Sequence, residues 1–248
     1  MKTVVDLLLL AILIICAWSG YKKGIIMGVG GVIVIIVALY GANLLSNTFS
    51  YEVIPALRPF VSGYMESKAP KILYEQLGYE ADEEGNYNVT ISVEDLLTQH
   101  PEEERNLCVA AYESLGIYTA KAESMADEAI EYKQQNDSST VSSIIEVLLN
   151  ELTYFLGFLL AFMLIAILLT VLGNILNLSF KIPGLDILND ALGTVIGLFT
   201  GFLFCVILVW ALGFAGKVIP ETTLQETKIA SWFLEKDYFS AYKHLLGF

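Results

Sequence analysis

Cysteine and histidine are scarce in this chain: Cys16, Cys108 and Cys205, with His100 and His244, are all that 248 residues contain. None falls in a C-x-x-C pair or a Cys/His cluster, which excludes a disulfide framework and a zinc centre. No metal and no other cofactor is expected. Basic side chains are few, 14 Lys and Arg against 27 Asp and Glu, and no nucleic-acid partner is expected. Charge is missing where it would matter most for transport. No Lys, Arg, Asp or Glu lies at the centre of the apolar runs 4–18, 24–45, 152–176 and 191–215. Intramembrane charge marks ion and proton paths, so its absence disfavours a coupled transporter, although a backbone-lined pore stays open as a reading.

Those four runs are the main content of the sequence. Apolar residues make up 55% of the chain, and a membrane span needs about 20 of them in succession. Four transmembrane helices in two hairpins are expected. The first run is short and carries Asp6, but Ala17, Trp18 and Ser19 do not form an A-x-A cleavage site. It is therefore read as a retained helix and not as a cleaved signal. Tyr21, Lys22 and Lys23 separate the first two runs, and Lys181 lies between the last two. Short basic loops stay in the cytoplasm, which places both termini and residues 47–143 outside.

Glycines recur every fourth residue in both hairpins, as Gly20, Gly24 and Gly28 and as Gly193, Gly197 and Gly201. This small-xxx-small spacing predicts close helix packing at all six positions. Gly30 and Gly31 are read as packing residues too. Between the hairpins, 47–143 holds 18 acidic and 6 basic residues and reads as an inserted lobe. Val53, Leu57, Phe60 and Val61, then Ile72, Leu73 and Leu77, predict short amphipathic helices interrupted by Pro55, Pro59 and Pro70. A further helix is expected near Val93, Leu96 and Leu97, and one or two more between Pro101 and Gln135. Leu107, Ala111, Ala122, Met125 and Ala129 supply their buried stripe. Residues 81–87 read as a solvated turn and 136–143 as a polar linker, with Glu146 and Glu151 on the water-facing side of the approach to the third span. In the tail, Trp232, Phe233, Tyr238 and Phe239 predict an amphipathic segment lying at the interface or packed on the lobe.

Catalytic arrangements are not evident. Asp6, Asp186 and Asp190 invite a comparison with intramembrane proteases, but the topology puts Asp6 across a bilayer of about 30 Å from the other two. Helix capping is the expected role of Asp186 and Asp190. Ala17-Trp18-Ser19-Gly20 lacks the first glycine of a rhomboid G-x-S-G, and no span holds a histidine to activate the serine. Neither a phosphate loop nor an H-E-x-x-H pair occurs, and no enzymatic activity is expected.

Two segments nevertheless form a recognisable pattern. Asp6-Leu7-Leu8-Leu9 followed by Gly20-Tyr21-Lys22-Lys23-Gly24, and Leu188-Asn189-Asp190-Ala191-Leu192-Gly193 followed by Gly197, Leu198 and Gly201, resemble the colicin V production protein (CvpA) family over about 4–46 and 152–215. Asp190 stands where the family signature has a basic residue, and the lobe is an insertion relative to the short family form. The resemblance implies a four-helix inner-membrane protein associated with toxin production or export and with the cell envelope. A related subgroup adds an extracytoplasmic serine protease; the residues after Gly216 are too few for that domain, and no catalytic residue carries over.

The sequence thus predicts an all-α integral membrane protein with four parts: a transmembrane hairpin (1–46), an acidic extracytoplasmic helical insertion (47–143), a second hairpin (144–216) and an amphipathic tail (217–248). Its expected function is that of an accessory protein in toxin production, export or envelope maintenance; a small channel or transporter subunit is the alternative. Membrane lipid, envelope or secretion proteins and a second copy of the chain are the expected partners. Asp6, Asn189 and Asp190 are the polar residues singled out for function.

Overall fold

The computed structural model describes residues 2–82, 86–89, 91–175 and 186–236. Every regular element among them is a helix: α1 (Lys2–Gln76), α2 (Val93–Gln99), α3 (Glu103–Ser114), α4 (Thr119–Asn136), α5 (Thr140–Ile175), α6 (Asp186–Leu212), α7 (Glu221–Gln225) and α8 (Ala230–Lys236). Of these, α1, α5 and α6 are long and apolar enough to cross a membrane. Two compact units emerge, one made of Met1–Ser46, Leu156–Gly213 and Val218–Phe248, the other of Asn47–Phe155 and Phe214–Lys217.

In the first unit, large aliphatic side chains point outward: Val4 and Leu164 are each 66% exposed and Val195 62%. Contiguous apolar surface of this kind suits lipid. The interior is built from small and aromatic residues, with Ala38, Ala42, Phe158 and Cys205 fully buried. Phe158 meets Trp210 edge to face at 5.3 Å, and Phe233 of α8 lies 5.3 Å from Phe202 of α6. Along α1 the helical path is broken at Gly24, whose φ of 72° is accessible to glycine at little cost. The break divides the apolar run 4–18 from the run 24–45.

The second unit corrects several expectations. Pro55, Pro59 and Pro70 do not interrupt the helix; α1 runs through all three. Each proline removes a backbone hydrogen bond, but the helix beyond Ser50 presents an unbroken stripe to the core. Met65, Ala69 and Leu73 are fully buried there, with Ile54, Leu57 and Val61 packed beside them. Phe60, on the other side of the helix, is 77% exposed. The stripe's spacing of three and four survives the prolines because they sit off it. Leu107, Ala111, Ala122, Met125 and Ala129 complete the core from α3 and α4, which are separate helices parted at Gly116 (φ 88°).

Helix boundaries follow local chemistry. Ser92 caps α2 by accepting from the Asp95 N–H at 3.1 Å. Asp137 ends α4 in a left-handed conformation, and α5 begins at Thr140, so only part of 136–143 is linker. Glu146 and Glu151 are not simply water-facing: Glu146 pairs with Arg58, and Glu151 with Lys121 at 2.8 Å, both carboxylates being largely covered. In the tail, α7 and α8 are short; Trp232 is 46% exposed and Phe233 buried. Tyr238 and Phe239 lie outside the described residues, as do the centre of the turn at 81–87 and Lys181.

Candidate functional site

The first 23 residues of α1 run against α6 through a ladder of small residues. Gly20 sits on Gly193 and Gly197, where a side-chain carbon would come within 2.9 Å of the Gly197 Cα. Gly193 in turn faces Gly20 and Gly24, and a side-chain carbon added there would come within 2.9 Å of the Gly24 Cα. Gly197 lies on the backbone of Cys16 and Ala17, and Gly201 on Leu13 and Cys16. Further along, the Cys205 thiol is 3.8 Å from the Leu9 carbonyl. Gly28 faces the Ile196 side chain, which a carbon added at Gly28 would meet at 3.2 Å. In a bilayer, where apolar surfaces gain nothing by leaving lipid, such close backbone approach supplies the packing attraction.

Asn189 occupies the break in α1. Its Oδ1 accepts from the Ile25 N–H at 3.1 Å, and its side chain fills the space beside Gly24. The residue is 3% exposed, and its Nδ2 is buried without a hydrogen-bond partner. Asp190 does not make the expected cap: its Oδ1 is likewise buried and unpartnered, while its carbonyl accepts from the Thr194 hydroxyl at 2.8 Å. The side chain of Asp186 lies outside the described set. Asp6 belongs to a different end of the unit. Its carboxylate accepts from the N–H groups of Lys228 and Ile229, both at 3.0 Å, and of Ala230 at 3.4 Å, capping α8. Asp6 and Gly24 are separated along α1 by roughly 25 Å at 1.5 Å per residue, so Asp6 and Asp190 do not form a catalytic pair.

A cavity of about 320 Å³ opens beside the ladder. Gly28, Gly31 and Ile35 of α1, Thr170 and Gly173 of α5 and Phe204 of α6 line its walls, and Lys23 stands at one end. Among the described residues, no atom outside their own helix backbone lies within 4 Å of where a side chain would begin at Gly30, Gly31 and Gly173. Gly30 and Gly31 are therefore not packing residues; they face open space. Thr200, also on the wall, returns its hydroxyl to the Ile196 carbonyl at 3.0 Å. Beside the break, Trp18 stacks on Tyr21 with centroids 5.9 Å apart, and the Lys22 ammonium lies 5.2 Å from the Trp18 ring.

The second unit holds a polar cluster that sequence reading missed. Thr140 donates its N–H to Glu94 at 2.7 Å, so a carboxylate from α2 caps α5. Its hydroxyl lies 2.7 Å from Glu104 and 2.9 Å from the Lys133 ammonium, which also pairs with Glu104. Burial opposes the charge on Glu104, but Lys133 and Thr140 outweigh it and hold the carboxyl below its ordinary range. Burial likewise opposes the charge on Lys133, and the facing carboxylates raise it instead. Cys108, 1% exposed, is pushed up to about 12, chiefly by burial. Glu94, Glu104, Lys133 and Thr140 satisfy one another and anchor four helix ends, the starts of α2, α3 and α5 and the end of α4. The acid-rich first turn of α3 was legible in Glu103 and Glu104; the 46-residue reach from Glu94 to Thr140 had no local signal.

No curated protein and no solved structure matches the chain. A family match covers slightly less than half of it; that match includes 152–215 and leaves 4–46 outside. Residues 125–237, which hold α5 to α8 entire, match the family of the Colicin V production protein, and with three helices of membrane-crossing length the chain is a multi-pass membrane protein with a region similar to that family.

Proposed function

We propose that the protein is an accessory component of the cytoplasmic membrane that supports production or export of a colicin V-like toxin and maintenance of the envelope, without catalysing a reaction. The family match over 125–237 carries this reading. Four crossings in two hairpins are supported by the order of contacts on α6. They descend from Cys205 to Asn189 as α1 runs from Leu9 to Gly24, then rise to Ile196 at Gly28. A cytoplasmic turn at Gly24, with both termini and the lobe outside, is supported by Lys22 and Lys23 and by the stacked Trp18 and Tyr21. The commitment of Asp6 to α8 and of Thr194 and Thr200 to their own helix leaves these groups in structural roles. Envelope or secretion proteins are the partners this role requires, and the glycine faces can also serve a second copy.

A deletion strain tests the proposal. Extracellular toxin and resistance to membrane-active detergents should fall and return with the wild-type gene. Complementation by Asp190→Asn should be close to complete. Normal secretion and a normal envelope in the deletion strain would overturn the accessory role, and solute flux by the purified protein in liposomes would replace it with a channel.

A further inference from the structure

We propose that the cavity beside Lys23 holds one acyl chain of an anionic phospholipid, with the phosphate at the lysine. Three observations converge on that occupant. The wall is made by small and apolar residues, and Gly30, Gly31 and Gly173 have empty space where neighbouring helices would otherwise pack. An apolar void open to hydrocarbon fills with chains and not with water, because water needs polar partners. Among the described residues, Lys23 is the sole cation on the wall, is exposed, and has no acidic partner. It therefore offers its ammonium to an anion arriving from outside the chain.

The dimensions match as well. Lys23 adjoins the break at Gly24, and the lining continues to Ile35, about 18 Å further at 1.5 Å per residue. That distance is a little over half of a hydrocarbon core of about 30 Å, the depth reached by one chain whose headgroup sits at the level of the break. Trp18 and Tyr21, stacked there, are residues that favour the headgroup region. Basic pockets between membrane helices recognise anionic headgroups by this combination of charge and apolar wall. The open glycines set the width: any larger side chain at 31 or 173 would project into the chain's path.

Native mass spectrometry of the full chain, delipidated in mild detergent and titrated separately with phosphatidylglycerol and phosphatidylcholine, tests the site. The wild type should retain one phosphatidylglycerol in preference to phosphatidylcholine. Gly31→Leu and Gly173→Leu enter open space, so both should keep the wild-type helical content while losing retention tenfold or more. Lys23→Gln, at an exposed position, should cut the preference for phosphatidylglycerol about fivefold, the effect of one lysine near an anionic surface. Wild-type retention in both leucine variants would overturn the proposal, and so would an unchanged headgroup preference in Lys23→Gln. A dimer that the leucine variants convert to monomer would give the cavity to a second copy instead. The assay uses no secretion readout, so its outcome is separate from that of the toxin-export reading.

Discussion

Thr140 concentrates much of the second unit's polar chemistry in one side chain. It bridges Glu94, Glu104 and Lys133 while its own N–H is held by Glu94. Thr140→Val removes the shared hydroxyl and should cost about 1 to 3 kcal/mol, read as a lower midpoint in chemical unfolding followed by tyrosine near-ultraviolet circular dichroism. The cluster also sets a pH window. Because the folded Glu104 carboxyl titrates below its unfolded value, its contribution is complete above about pH 4.3 and is lost as pH falls through the folded value. Lys133 titrates above its unfolded value, so its contribution is complete below about pH 10.4 and is lost as pH rises through the folded value. The contribution of this pair should therefore be flat between these limits, while Cys108, held as a thiol up to about 12, lowers stability above about pH 8.5, where the unfolded chain ionises; Glu104→Gln should lower the plateau and flatten the acid limb, and an unchanged acid limb would remove Glu104 from the account. In the first unit, Asn189→Ala deprives the Ile25 N–H of its acceptor, with an expected loss of about 1 to 3 kcal/mol in detergent melts. A pair close in sequence, such as Ser92 and Asp95, was in principle legible from its spacing, although only the apolar Val93, Leu96 and Leu97 were singled out for that helix. Asp6 and Glu94 were not legible as caps, because what they cap lies far along the chain.

The helices themselves were largely written in hydropathy. Apolar runs nearly free of charge predicted α5, α6 and the first part of α1, since only a lipid-facing or fully buried helix tolerates that composition. The prolines misled: a rule about missing hydrogen bonds says nothing of how much stripe lies on either side, and Met65, Ala69 and Leu73 hold α1 together beyond Pro59. Glycine spacing could not distinguish Gly20, pressed on Gly193, from Gly31, pressed on nothing. That distinction gives a paired prediction. Gly197→Leu drives a side chain into the backbone of Cys16 and should lower thermal stability or disperse the protein in detergent, while membrane insertion survives. Gly63→Ala, on the exposed and uncontacted side of α1, should instead stabilise the protein by up to about 1 kcal/mol through helix propensity. Equal behaviour of the two variants in the same melting assay would contradict the contact map.

At the scale of the whole chain, orientation is the property with the most biological consequence. Cys108 cannot report it in the folded protein, being 1% exposed with its thiol pushed up to about 12. Glu102, whose side chain is 66% exposed, can. In a background with Cys16, Cys108 and Cys205 changed to alanine, Glu102→Cys should react with a membrane-impermeant maleimide on intact cells; reaction only after the cells are opened would reverse the proposed topology. The pairing of the earliest helix with α6 has a further consequence, in time. The contacts that complete the first unit join residues 164, 196 and 222 positions apart, as Ile25 with Asn189, Leu9 with Cys205 and Asp6 with Lys228. At roughly 5 to 20 residues per second of synthesis, the nascent glycine face waits about 10 to 40 s in the bilayer for the helix that will cover it. During that interval it is a sticky, unmarried surface, open to the insertion machinery or to a neighbouring nascent chain, so the ribosome's pace is part of how this membrane fold is assembled.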